Sequence, residues 1–244
     1  MKRPSFLTTL IFAMSFLCIV GSTSAADSPP DISKLDPAWA AGELDSSLRD
    51  SEMGSAWSAI KAVFPADYAR FTRSMAEALI SNREWRGLPQ QFMEKYLGDN
   101  LKFAQHAPAA AQLKYEQQKA QLLQYLSSTN PAACAYLGTG LGDPTSIRKL
   151  DPEGTRRYSD LIAEKVKTIG EGRDSPTIFT PLPSERGSQI LSVMVAQGTP
   201  KSEARKILGS QVGKSKADQC RAGLLKQNAL AGAWAEIAAK DALH

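Results

Sequence analysis

Residues Ala120–Gly142 read AQLLQYLSSTNPAACAYLGTGLG, the longest stretch beyond the N-terminus without a charged side chain. Leu122, Leu123, Tyr125 and Leu126 close the apolar face of one helix. Ser127, Ser128 and Thr129 can bond their own backbone, which predicts that this helix stops among them. Asn130 suits the N-cap of a second helix, and Pro131 suits its first position, where no N–H is needed. Gly138 is the expected left-handed residue closing that second helix. Uncharged, punctuated sequence of this kind belongs in a protein core. A membrane span is disfavoured, because Gln124, Asn130, Pro131 and the three glycines would leave polar groups unsatisfied in lipid.

The same stretch carries Cys134. Of the three cysteines, Cys18 falls in the N-terminal apolar run, which leaves Cys134 and Cys220. Lys2 and Arg3 precede apolar residues Phe6–Val20, and small residues through Ala26 follow. This pattern predicts a secretory signal peptide, residues 1–26. The alternative of an uncleaved anchor is disfavoured by the shortness of the apolar run. In an oxidising compartment a lone cysteine pair is expected to be bonded, and two cysteines are too few for a zinc site. Removal of Lys2 and Arg3 lowers the formal charge from +4 to about +2, so the pI near 8.9 overstates the basicity of the mature chain. None of Asn82, Asn100, Asn130 and Asn228 sits in a glycosylation triplet, which favours a bacterial, periplasmic or secreted setting.

Residues 27–42, with Pro29, Pro30 and Pro37, are expected to form a flexible acidic leader whose end Trp39 pins to the body. Residues 43–244 are expected to form one all-α domain, a bundle of about six to nine helices. Tyr68, Phe71, Met75 and Leu79 repeat at helical spacing. Gly98 is read as a helix end. The helix after Ala109 should hold Lys114, Glu116 and Lys119 on its wet side. Gly170 to Ser184 is the most loop-like part of the body, with Ile178 and Phe179 inside it. A final helix should run from near Lys216 to Ala242 and be tied by Cys220 to the central stretch.

Two places suggest a contact surface. Trp85 lies between Arg83 and Arg86, an arrangement that can stack on a partner, although a Trp covering the core is the commoner use. Lys201, Arg205, Lys206, Lys214 and Lys216 form a basic segment with Glu203 as its one acid, suited to an acidic partner or an anionic surface, or simply to solvent.

Much chemistry is disfavoured. Only His106 and His244 are available as imidazoles, and no nucleophile-elbow, metalloprotease, calcium-loop or C-x-x-C motif occurs. Gly138, Gly140 and Gly142 lack the strand context of a dinucleotide loop. No cofactor and no metal is expected, and nucleic-acid binding is disfavoured by the modest charge. The expected function is a non-enzymatic interaction protein of the cell envelope or secretion pathway. Its partner is expected to be an envelope protein or an anionic surface. One alternative is a glycan-directed hydrolase using a carboxylate pair, with Glu94, Glu153 and Glu185 among the candidates. Another is a carrier of a small ligand or lipid between helices.

Overall fold

The computed structural model describes residues 36–81, 83–85, 87–177, 184–209, 213 and 215–242. The signal-peptide region, Arg86, Ile178, Phe179 and Lys214 lie outside the described residues. The described residues are all-α, with ten α-helices and one short 3-10 helix, slightly more elements than expected. The helices are α1 (Pro37–Arg49), α2 (Gly54–Val63), α3 (Pro65–Ile80), α4 (Leu88–Ala104), α5 (Ala109–Thr129), α6 (Pro131–Thr139), α7 (Pro152–Asp174), α8 (Ser184–Ala196), α9 (Lys201–Leu208) and α10 (Lys216–Asp241); the 3-10 helix is Pro144–Lys149. The chain divides into two compact units, the first ending at Gly98 and the second beginning at Asp99.

In the first unit, α1 begins inside the stretch expected to be a flexible leader. Asp36 accepts hydrogen bonds from the backbone N–H of Ala38 (3.2 Å) and Trp39 (3.3 Å), and Pro37 takes the first helical position. Residues 37–42 are therefore helical. Ala40 and Leu44 anchor α1, whereas Trp39 stays 43% exposed and pins nothing. The core is aromatic. Trp57 stacks on Phe71 (5.4 Å between centroids), Phe71 on Phe92 (4.3 Å) and Phe92 on Tyr96 (5.1 Å), with Phe64 edge-on to Tyr96 (4.8 Å). Each such pair contributes about 0.5–1.5 kcal/mol beyond its burial. Asp45 of α1 holds Lys61 of α2 at 2.8 Å and Arg49 at 3.0 Å.

The second unit is built on α5. It packs against α7 on one side and α10 on another, and α6 folds back beside it. Leu122, Leu123 and Leu126 are buried with Cys134, Leu161 and Cys220. The joint at Asn130 forms as expected. Its side chain accepts from the Ala133 N–H at 3.1 Å and donates towards the carbonyl of Lys149 at 3.4 Å. Asn130→Ala should cost about 1–2 kcal/mol, and Asn130→Asp, which keeps the acceptor, markedly less. Denaturant titration of the three proteins measures this.

The hydroxyls of Ser127, Ser128 and Thr129 donate to carbonyls of the preceding turn, at 2.7, 3.0 and 3.1 Å, and α5 ends at Thr129, among the three residues where it was expected to stop. Three local expectations are corrected. Gly140, with φ of 74°, is the left-handed residue after α6, while Gly138 lies inside the helix. Gly98 sits within α4, and Gly170 and Gly172 sit within α7, where both are buried. A Cβ on Gly172 would come within 1.9 Å of the Phe103 carbonyl oxygen, so this glycine serves a close helix approach rather than a loop.

Cys134 and Cys220 form the expected disulfide, with Cα atoms 5.0 Å apart, and both are buried. It joins α6 to α10.

Candidate functional site

The residues selected from sequence fall in different units. Arg83 is exposed and Trp85 half-buried, both in the connection between α3 and α4 of the first unit. Lys201, Arg205 and Lys206 are exposed on α9 of the second unit. Lys201 and Arg205 are one turn apart, hence on one face. The lone acid, Glu203, is taken up by Arg221 of α10 at 3.1 Å, so the exposed face of α9 carries three cations.

Of the candidate carboxylates, Glu94 accepts from Gln90 at 2.7 Å in the first unit. Glu153, in the second, is held by Arg156 at 2.9 Å and Arg157 at 2.7 Å. The Arg156 hydrogen bond is the largest influence on Glu153; desolvation opposes it, but with the Arg157 hydrogen bond and the charges of both arginines added the carboxyl is held below the ordinary glutamate pKa. A carboxylate held charged in this way makes a poor general acid. The side chain of Glu185 lies outside the described residues.

A feature the sequence reading passed over is a groove along α5. Two adjoining depressions share Ala120, Gln121 and Asn228. Gln117, Gln121 and Gln124 line it from α5, Asn228 from α10, and Gln197 from the turn after α8. All five amide side chains are exposed, and none has a hydrogen-bond partner among the described residues. Leu225, Ala231, Gly232 and Ala235 give the floor, and small side chains there keep it accessible. One end is rigid. Arg157 lies over the Tyr125 ring at 4.9 Å, and the Tyr125 hydroxyl donates to Asp151 at 2.8 Å. The spacing of Gln117, Gln121 and Gln124, at four and then three residues, is a helical stripe visible in the sequence.

A second feature lies on the inward side of α5. Glu116 and Lys119 were expected to face water beside Lys114, but only Lys114 is exposed; the other two are half-buried. Gln227 of α10 is 2% exposed and donates to the Glu116 carbonyl at 3.1 Å and to its carboxylate. Burial raises the Glu116 pKa, opposed by the Gln227 hydrogen bond and by the charges of Lys119 and Lys226. Burial lowers the pKa of Lys119, against the pull of Glu116, and also that of Lys165 on α7.

Comparison with known proteins yields no relative. No family model, no curated protein and no solved structure matches this chain. Among the described residues no group of three or more histidine, cysteine or acidic side chains could hold a metal ion, and no helix is long and apolar enough to cross a membrane. The site is therefore read from its own chemistry. Five unengaged amides, each able to donate and accept, suit a neutral polar ligand whose groups alternate in the same way.

Proposed function

We propose that this chain is an exported, periplasmic binding protein of the cell envelope, and that the amide-lined groove along α5 holds an extended polypeptide segment of its partner. The groove carries this reading. A polypeptide backbone presents one donor and one acceptor per residue, and a row of glutamine and asparagine side chains answers both. The floor of alanine and glycine lets a main chain approach closely. The basic face of α9, with Lys201, Arg205 and Lys206, supplies attraction to an acidic partner or surface and raises the encounter rate. Arg83 and Trp85 offer a separate contact on the first unit. The export reading draws support from the N-terminal pattern and from a buried disulfide, which is at home in an oxidising compartment.

Amides and alanines, rather than facing carboxylates, line the groove, which is why binding is preferred to glycan hydrolysis there. The test is site-specific photo-crosslinking in living cells. A photoreactive residue at Gln121 or Asn228 should yield one discrete adduct, and the same group at exposed Lys149 should not. Absence of adducts at the groove positions, or an equal yield at Lys149, counts against the groove. Gln121→Glu should weaken the crosslink from Asn228 several-fold, because a carboxylate accepts but cannot donate.

A further inference from the structure

We propose that Lys119, Lys165 and Lys226 form a binding site for a small, doubly charged oxyanion of the phosphate class inside the second unit, with Glu116 and Gln227 as its fixed wall. The site is independent of the groove. On α5, Lys119 shares its face with the buried Leu122, Leu123 and Leu126, whereas Gln117, Gln121 and Gln124 lie on the opposite face.

The three lysines come from three helices, α5, α7 and α10, and all are half-buried. Position explains their convergence. Lys165 lies three to four residues from buried Leu161, Ile162, Thr168 and Ile169, so it points with the inward face of α7. The Thr168 hydroxyl reaches the Ala111 carbonyl at 3.4 Å, which brings that face of α7 onto α5. Lys226 adjoins Gln227, whose amide is bonded to Glu116. Lys119 is one turn on from Glu116. Lys119 and Lys226 are close enough to Glu116, and to each other, for their charges to interact, and Lys119 likewise interacts with Lys165.

The charges do not balance. Two ammonium groups, Lys119 and Lys226, act on the one carboxylate, the third, Lys165, stands beside Lys119, and among the described residues none of the three sits in a salt bridge. Like charges held together in half-desolvated surroundings repel. A ligand carrying two negative charges offsets the excess. Ammonium groups, as compact charges with three donors each, match the several acceptor oxygens of a phosphate. Glu116 then sets orientation, because Gln227 holds its carboxylate and the anion must approach from the lysine side.

The test compares melting temperatures in inorganic phosphate and in chloride at matched ionic strength. Saturating phosphate should raise the wild-type value on the order of 5 °C. Lys119→Met should keep its helical circular dichroism and lose the rise. Lys165→Met and Lys226→Met carry the same expectation, so the test does not rest on one variant folding. Lys167→Met, altering an exposed neighbour on α7 that pairs with Glu164 at 3.3 Å, should retain the full rise. Equal wild-type melting temperatures in the two salts overturn the proposal, and so does an undiminished rise in the variants at positions 119, 165 and 226.

Discussion

Cys134→Ala with Cys220→Ala should destabilise the second unit by about 4–5 kcal/mol on the chain-entropy account of cross-links. The bond closes a loop of 86 residues, so its loss frees a large part of the unfolded chain. Both sulfurs are buried, Cys134 wholly and Cys220 to within 3%, and two alanines leave unfilled space as well. The effect should be local. Helices α1 to α3 contain no cysteine and have their own aromatic core. Hydrogen exchange of the double variant should therefore speed up in α6 and α10 and stay unchanged in α2 and α3. A loss under 1 kcal/mol in denaturant titration would contradict the assignment of this bond as the main tie between α6 and α10. Before any mutation, a non-reducing digest should release the Cys134–Cys220 peptide pair.

How far the sequence announces this arrangement depends on how local each signal is. The Asn130–Pro131 joint was legible because a cap and its target N–H lie within three residues of each other. The disulfide was legible by composition, since only two cysteines remain after the N-terminal run. Gly138 and Gly140 were exchanged for a physical reason. A glycine that ends a helix and a glycine that admits a neighbouring helix look the same within their own segment. What separates them is Gly223, far along the chain. Gly172 reads as loop for the same reason, its partner being Phe103.

The candidate sites show the same limit. The glutamine stripe on α5 carries a helical period that the sequence displays, yet exposure alone makes it a groove, and exposure depends on α10 and α8. Lys119 shares its angular position with Leu122, Leu123 and Leu126, so periodicity marked it as inward. The expectation that charge faces water overrode that mark. Lys165 and Lys226 become its neighbours only through the packing of α7 and α10 against α5, which no pattern within one helix records.

Gly223→Ala and Gly138→Ala should each destabilise the second unit by about 2–3 kcal/mol, and the sign is the informative part. An alanine inside an isolated helix is favoured over glycine by about 1 kcal/mol. Here a Cβ on Gly223 would stand 2.6 Å from the Gly138 Cα, and one on Gly138 would stand 2.8 Å from the Gly223 Cα. The obstacle is backbone on both sides, so no rotamer change relieves it, and overpacking outweighs propensity. The helices cannot readily separate either. The disulfide holds their Cα atoms at 5.0 Å about one turn away. The two effects are therefore coupled. In a background carrying Cys134→Ala and Cys220→Ala, Gly223→Ala should cost at least 1 kcal/mol less than it does with the bond intact, because α6 and α10 are free to shift. Denaturant unfolding of the four proteins closes this double-mutant cycle. Additive losses would mean that the cross-link does not set the helix spacing, and a stabilised Gly223→Ala would mean that the close approach of α6 and α10 is absent in solution.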